Sequence, residues 1–171
     1  GGNKNLMGLK GVNREFLGFV QSHRRKEVAT LDMDATVVET RKGEALFCYE
    51  GHKAYQPLNT WWSEQEMVVH TEFRDGNVPA GYEQLRVLKE SLRSLPEGVK
   101  KVRLRSDTAG YQHDLMRFCD REDKRLGRIE FAIGCDVTRE FKKAVGEIEE
   151  GEWKVLYRKE KDKLVETRKE F

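Results

Sequence analysis

Cysteine is scarce in this sequence, with three residues in 171, and they are widely spaced as Cys48, Cys119 and Cys135. No Cys-x-x-Cys pair occurs, which excludes the usual structural zinc pattern, and the spacing gives no disulfide framework. The four histidines are equally scattered and show no metal-ligand spacing. We therefore expect the protein to work in a reducing cytoplasm.

Long apolar runs are also lacking. No stretch is long enough to span a bilayer and the N-terminus has no signal-peptide segment, so we expect no membrane association. An excess of charge of one sign is missing as well, because 32 Lys and Arg stand against 30 Asp and Glu. This balance excludes a simple polycationic binder. With 36% charged and 37% hydrophobic residues, the chain is expected to form one soluble domain with a densely charged surface.

The basic residues are unevenly distributed. Residues 1–30 contain six Lys or Arg against two Glu, and four of the residues 100–105 are Lys or Arg. Clusters of this kind bind phosphate groups in nucleic-acid-binding proteins. Each cluster taken alone is equally compatible with an ordinary solvated surface.

Two carboxylates interrupt an apolar strand-like run at residues 30–38, Thr-Leu-Asp-Met-Asp-Ala-Thr-Val-Val. Successive side chains of a strand point to opposite faces, so Asp32 and Asp34 share one face and Leu31 and Met33 share the other. Two carboxylates on a partly buried face need a compensating cation, and a hard divalent metal ion is the usual one. The run therefore predicts a metal site.

A second strand-like run, residues 99–105, is followed by Asp107 and then by a helical pattern. A carboxylate at such a strand-to-helix transition is held by rigid backbone and is open to solvent. We therefore select Asp34 and Asp107 as the candidate catalytic and metal-binding pair. The alternatives are that Asp107 only caps the following helix and that Asp34 is structural.

Apolar periodicities and turn signals predict a helix, then three strands, then alternating helices and strands. The predicted elements are a helix around 12–20, strands 28–39, 54–63 and 66–73, a helix at 85–95, a strand at 99–105, a helix at 110–124, a strand at 129–134, a helix at 138–148 and a β-hairpin at 153–167. Closely linked strands form an antiparallel meander, and strands joined through helices run parallel. The predicted fold class is therefore α/β, a mixed sheet flanked by helices in the order of the RNase H-like fold.

Five stretches, in order along the chain, resemble the DDE transposases of bacterial insertion sequences, in the group whose first motif is Asp-x-Asp-Ala-Thr. They are residues 30–36, 53–58, 72–81, 105–112 and 131–136. Ala54 stands where the family has Gly, which affects only the shape of that turn. Each stretch alone has low specificity, whereas the five in order cover nearly the whole chain.

The resemblance implies DNA cleavage and strand transfer at transposon ends. In such enzymes two aspartates and a glutamate hold two divalent ions, Mg²⁺ or Mn²⁺, about 3.5–4 Å apart. Here Asp34 would bridge the two ions and Asp107 would bind one of them. Asp32 is an outer-shell partner or, alternatively, the first ligand. The third carboxylate, a Glu on a later helix, is expected beyond Phe171.

The resemblance also implies partners and a domain order. DNA, as transposon ends and as target, is the expected partner, bound by a homodimer in a synaptic complex at the nucleoid. We expect an N-terminal helical segment at 1–26, a partial RNase H-like catalytic core at 27–148 and the start of a β-hairpin insertion at 149–171. Because the chain starts without Met and ends in a charged run, we expect it to be an internal part of a longer protein.

Five side chains are candidates for contact with DNA: Arg24, Arg74, Arg105, Tyr111 and Gln112. Arg24 and Arg105 belong to the basic clusters, and Tyr111 and Gln112 closely follow Asp107. As alternatives, Arg74 forms a salt-bridged loop with its neighbour Asp75, and Tyr111 packs on the first turn of a helix.

Two other classes of function stay open. One is a metal-dependent nuclease or resolvase on the same fold, because a fold alone does not separate hydrolysis from strand transfer. The other is a non-catalytic DNA-binding remnant of a transposase, since neither a third carboxylate nor a separate helix-turn-helix is recognised in the chain.

Overall fold

A computed structural model of the chain describes residues 4–121, 125–160 and 163–170. The chain divides into two units, residues 1–135 and residues 136–171. Within the described residues, the first unit contains a five-stranded sheet with three α-helices, and the second contains one α-helix and a two-stranded hairpin.

The elements follow one another in nearly the predicted order. The α-helices are α1 (Lys4–His23), α2 (Gln84–Ser94), α3 (His113–Asp120) and α4 (Arg139–Gly146). The strands are β1 (Val28–Ala35), β2 (Val38–Glu39), β3 (Ala54–Tyr55), β4 (Leu58–Trp62), β5 (Met67–Glu72), β6 (Lys101–Ser106), β7 (Glu130–Ile133), β8 (Lys154–Glu160) and β9 (Lys163–Glu170). Single 3₁₀ turns occupy Thr108–Gly110 and Glu150–Glu152.

The five-stranded sheet has the strand order β5-β4-β1-β6-β7. β4 pairs antiparallel with both β1 and β5, whereas β6 pairs parallel with both β1 and β7. The chain passes from β5 to β6 through α2 and from β6 to β7 through α3, as such crossover connections require. The predicted mixed sheet, a three-stranded meander followed by two parallel strands in the RNase H-like order, is confirmed.

Two predicted strands are each divided in two. The run 28–39 forms β1 and the two-residue β2, and the run 54–63 forms β3 and β4. Pro57 lies in the second break, where it has no N–H to donate to a ladder. β2 and β3 pair with each other in a separate two-stranded sheet.

One face of the five-stranded sheet carries the hydrophobic core. Leu31 and Met33 of β1 and Leu104 of β6 are buried there. Trp62 of β4 is 0% exposed on this face, whereas its neighbour Trp61, on the other face, is 39% exposed. The three helices contribute apolar side chains to the same cluster, namely Leu17, Val87, Leu88 and Leu115.

The opposite face of the sheet is polar. Alternation along β1 and β6 puts Asp32 and Asp34, with Arg103 and Arg105, on this face. Asp34 and both arginines are exposed. We call it the open face. It therefore carries the charged groups that the sequence analysis selected near the ends of β1 and β6.

Helix α1 packs against the sheet of the first unit, to which it belongs. It is longer than the predicted helix. Leu17 is buried in the core. Asn13 donates from Nδ2 to the carbonyl oxygens of Val68 and Val69, both at 3.1 Å, on the edge strand β5. Among its described apolar residues only Leu17 is buried, so the helix extends well beyond the part whose apolar pattern predicted it.

The second unit is described by itself. The Oγ1 atom of Thr138 accepts the N–H of Phe141 at 3.1 Å and so caps α4. β8 and β9 pair antiparallel and form the predicted hairpin. In the part of the chain that the structure describes, no helix combines the length and the apolar character needed to cross a membrane.

Replacement of Leu17 by Ala tests the docking of α1. We expect the free energy of unfolding to fall by about 2–5 kcal/mol, because a buried side chain is lost and a cavity remains. Leu9→Ala is the matched control, since Leu9 is exposed on the same helix, and its truncation should change that free energy by less than about 0.5 kcal/mol. Urea unfolding followed by circular dichroism measures both values. Equal losses for the two variants would contradict the packing of α1.

Candidate active site

The two candidate aspartates lie at the same end of the neighbouring parallel strands β1 and β6. The register of β1 and β6 ends with the pair Met33 and Ser106, and Asp34 and Asp107 come directly after that pair. Adjacent strands lie about 4.8 Å apart, so the two residues are neighbours at one edge of the sheet. Both are exposed. Their carboxylates are therefore within reach of a common ligand.

Asp107 is fixed by the turn that it begins. Its Oδ1 atom accepts the N–H of Ala109 at 3.0 Å and caps the 3₁₀ turn Thr108–Gly110. The predicted helix 110–124 begins as this turn and continues as α3 from His113. No other side-chain hydrogen bond of Asp107 occurs among the described residues. Asp107 therefore does cap the turn with Oδ1, and its second oxygen, Oδ2, remains available.

The end of β7 lies close beside Asp107. A Cβ atom added at Gly134 would lie 3.1 Å from the backbone nitrogen of Thr108 and 3.3 Å from the carbonyl carbon of Asp107. These contacts are tighter than usual, so a side chain at this position would require the backbone at residues 107–108 to shift by a few tenths of an ångström. Gly134 therefore helps to set the backbone position of Asp107.

Asp32, the first acidic residue of the β1 motif, is ion-paired with Arg105. The guanidinium donates from Nε to Oδ1 and from Nη2 to Oδ2, the latter at 2.7 Å. The hydroxyl of Ser63 also donates to Oδ2, at 2.6 Å. Burial raises the pKa of Asp32, but the hydrogen bonds from Arg105 and Ser63 outweigh it and hold the pKa below its usual range. Both carboxylate oxygens are engaged, which favours the outer-shell role over that of a metal ligand.

Asp34 has different surroundings. It lies level with Asn59 of β4, and it forms no ion pair or side-chain hydrogen bond with any described residue. Two exposed carboxylates side by side repel each other unless a cation lies between them. Their oxygen atoms are the ligands that a hard divalent ion such as Mg²⁺ prefers. The residues present therefore fit a divalent metal ion at Asp34 and Asp107.

The two candidates that follow Asp107 differ in their surroundings. Tyr111 is exposed, and its ring contacts that of His113 with the centroids 6.2 Å apart. Gln112 donates from Nε2 to the carbonyl oxygens of Gly81 and Ala109, the latter at 3.2 Å. Tyr111 thus presents a ring to solvent near Asp107, whereas the amide of Gln112 ties the loop before α2 to the 3₁₀ turn.

Arg74 lies inside the protein. It is 7% exposed and donates from Nε to the carbonyl oxygen of Gln56 at 3.0 Å and from Nη1 to that of Tyr82 at 3.1 Å. No ion pair with Asp75 is found among the described residues. Because the side chain turns inward and holds the loop that leads to α2, its position argues against direct contact with DNA.

Arg24 lies at the other end of β1. It is exposed just after α1 ends, and β1 then runs from Val28 toward Asp34. Six residues of strand span about 20 Å. The backbone N–H of Lys100 donates to the carbonyl oxygen of Glu27 at 2.8 Å, so Lys100 and Lys101 lie at this end, whereas Arg105 of the same cluster lies beside Asp32. Arg24 is therefore far from the two aspartates.

Ser63 is a site residue that the sequence analysis missed. It follows β4 and reaches Asp32 across 31 residues of chain. A single serine in a turn carries no pattern that would predict such a contact. Its hydroxyl also accepts a hydrogen bond from Nη2 of Arg105, at 2.8 Å.

Comparison with known proteins now identifies the family. Residues 3–170 match the family described as transposase DDE domain, group 1. Among solved structures, that of the Mos1 strand transfer complex matches over 85% of this chain and 48% of that chain, with 12% sequence identity and a TM-score of 0.38. This chain thus spans about half the length of that one. No curated protein matches the chain. Since the family match covers nearly every residue, the chain belongs to the transposase DDE domain family, group 1.

Proposed function

We propose that this chain carries the catalytic core of a DNA transposase, which cleaves phosphodiester bonds at transposon ends and transfers the strands to a target. One observation carries the proposal. Asp34 and Asp107 are exposed carboxylates that come directly after the last register pair of the neighbouring parallel strands β1 and β6. Neither has a cationic partner among the described residues. Membership of the DDE family supports the same conclusion.

In this proposal Asp34 and Asp107 hold divalent metal ions, either Mg²⁺ or Mn²⁺. Both carboxylates would supply oxygen ligands to these ions, as the family resemblance implies. When bound, such ions activate the attacking oxygen and stabilise the leaving oxygen during in-line displacement at phosphorus. Asp107 is positioned by its hydrogen bond to the Ala109 N–H, so its remaining oxygen is presented in one direction.

Asp32 and Arg105 act as positioning residues in this proposal. Their double hydrogen bond joins β1 to β6 two residues before the aspartate pair. Strand residues repeat at about 3.3 Å, so the ion pair lies roughly 7 Å from the carboxylates. It therefore fixes the relative position of the two strands that carry the site.

DNA is the proposed substrate. Nη1 of Arg105 has no partner among the described residues, and the side chain is mostly exposed, so it is available to a phosphate. Tyr111 adds an exposed ring beside the site. Arg24 lies too far away for this role and instead serves sequence-independent attraction of the DNA backbone.

The wider setting is also a proposal. We infer an N-terminal helical segment at 1–26, a catalytic core at 27–148 and the start of a β-hairpin insertion at 149–171. The protein acts in the cytoplasm on nucleoid DNA, as a homodimer in the synaptic complex. The third carboxylate is supplied by a helix outside residues 1–171.

Metal binding tests the aspartate pair. We expect Mg²⁺ to bind weakly to the chain, because two carboxylates form an incomplete cage and Mg²⁺ loses its water reluctantly. Asp34→Asn and Asp107→Asn should each weaken this binding by at least about tenfold, since each removes a charged ligand. Isothermal titration calorimetry measures the affinities.

Two variants serve as controls for this test. Asp120→Asn removes a carboxylate that is exposed on α3 and paired with Arg128, and it should leave Mg²⁺ binding unchanged. Asp32→Asn should have a much smaller effect than Asp34→Asn, because both oxygens of Asp32 are already engaged. Identical affinities in the wild type and in both site variants would refute the assignment.

DNA binding and cleavage by residues 1–171 test the function itself. We expect weak, sequence-independent DNA binding that falls steeply as salt rises, because it rests on phosphate contacts. We expect no useful nicking in Mg²⁺, because catalysis needs both ions in fixed geometry. A gel-shift salt series and a plasmid nicking assay measure these properties.

The outcome of the nicking assay also locates the third carboxylate. Robust metal-dependent nicking by this chain would show that the third ligand lies within it. Asp136, Glu147, Glu149 and Glu150 would then be the first residues to replace. Nicking that persists in Asp34→Asn and Asp107→Asn would instead contradict the proposed active site.

A further inference from the structure

A second group of metal-ligating side chains lies at the far edge of the sheet. His70 and Glu72 belong to the edge strand β5, and Glu90 belongs to α2. We call these three residues the His70 cluster. His70 aligns with Thr60 of β4, and Thr60 aligns with Met33 of β1. His70 therefore points to the helix-covered face of the sheet, opposite to the face that carries Asp34.

The donor atoms of the cluster converge. Nε2 of His70 lies 3.5 Å from Oε2 of Glu72 and 3.3 Å from Oε2 of Glu90. All three atoms lie within 4.8 Å of one another. A tetrahedral zinc ion with bonds of about 2.0–2.1 Å holds its ligand atoms about 3.3 Å apart. The two nitrogen–oxygen distances match this spacing closely.

One ring nitrogen of His70, Nε2, is buried and makes no well-aligned hydrogen bond with any described residue. The side chain of His70 is only 4% exposed. Buried polar atoms are nearly always satisfied in native proteins. This nitrogen instead points toward two carboxylate oxygens at distances that suit a shared cation.

Arg86 orients the two carboxylates. Its guanidinium donates from Nη2 to Oε1 of Glu72 at 2.9 Å and from Nη1 to Oε1 of Glu90 at 2.8 Å. These bonds engage the Oε1 atom of each carboxylate. Both Oε2 atoms remain directed at His70. Metal ligands are commonly held in place in this way by a second layer of hydrogen bonds.

Lys10 is the group that a metal ion would replace. Its Nζ atom lies 3.7 Å from Oε2 of Glu72 and 3.5 Å from Oε2 of Glu90. These distances exceed those of a short charge-assisted hydrogen bond, and the side chain is 38% exposed. Lys10 can therefore withdraw to solvent. Glu83 also binds Arg86. Without Lys10, the three negative charges of Glu72, Glu83 and Glu90 face the single positive charge of Arg86. One divalent ion balances the two charges that remain.

We propose that His70, Glu72 and Glu90 form a second metal site, which binds one divalent transition-metal ion of the zinc class in competition with Lys10. The imidazole nitrogen selects such an ion over Mg²⁺, which prefers oxygen ligands. This site is separate from the aspartate pair in both position and ligand chemistry.

The Cys48 cluster is the competing location. The ligand atoms of Cys48, Glu50 and His52 also lie within 4.8 Å of one another. There His52 Nε2 lies 3.7 Å from Glu50 Oε2, and both side chains are partly exposed. The group that hydrogen-bonds Glu50 is the exposed Tyr49, whereas Glu72 and Glu90 are held together by the guanidinium of Arg86. We therefore favour the His70 cluster and include the other in the test.

The test titrates the untagged, metal-free chain with Zn²⁺ against a chromophoric chelator. We expect one site whose affinity falls at least about tenfold in Glu90→Gln and in His70→Ala. Lys10→Met should increase the affinity, because it removes the competing cation. This increase is the sharpest result, since a cluster that is only structural would not acquire affinity for Zn²⁺ when Lys10 is lost.

Three controls complete the experiment. Asp120→Asn and Cys48→Ser should keep the wild-type affinity, and Co²⁺ substituted for Zn²⁺ should give a spectrum without a sulfur-to-cobalt charge-transfer band. If His70→Ala does not fold, the opposite effects of Glu90→Gln and Lys10→Met still decide the question. Unchanged affinity in both of these variants, or a sulfur band that disappears in Cys48→Ser, would overturn the proposal.

Discussion

The register of strand β1 is the constraint on which the rest of the structure depends. β1 is paired on both sides, antiparallel with β4 and parallel with β6. A slip of one residue would move Leu31 and Met33 to the open face and turn Asp32 and Asp34 into the core. Burying two unpaired carboxylates costs several kcal/mol each. The apolar side chains thus fix the register, and the same register fixes the aspartates.

The same strand gives its two aspartates different surroundings. Asp32 lies inside the ladder and faces Arg105, which supplies a neutralising charge and two hydrogen bonds. Asp34 lies one pleat further on, still aligned with Asn59 of β4 but beyond the last pair with β6, where the segment after β6 offers another carboxylate, Asp107. An acidic residue that is paired within the protein stabilises it. An acidic residue without such a partner is available to bind a ligand. The position of each aspartate along β1 therefore decides whether it forms an ion pair within the protein or is available to a ligand.

Much of the fold was predictable because the patterns that encode it are local. Alternating and helical periodicities located the strands and helices, and the turn residues located their ends. The choice of Asp107 rested on the end of a predicted strand, and that of Asp34 on two alternating carboxylates within another predicted strand. Contacts over long distances in sequence were not predictable. The Asp32–Arg105 pair spans 73 residues. The partners of Arg74 are backbone carbonyl groups, and since every residue has one, no residue type in the sequence marks these contacts.

The His70 cluster was missed for a related reason. His70 and Glu72 share a strand face, but the third donor comes from α2, so no spacing in the sequence marks the group. Its position also explains how Lys10 can be released without loss of α1. The helix is anchored to β5 through Asn13 and to the core through Leu17, and neither contact involves Lys10. In the two proposals the sheet therefore separates two sets of possible metal ligands, with carboxylate oxygens on the open face and a mixed nitrogen–oxygen set beneath the helices.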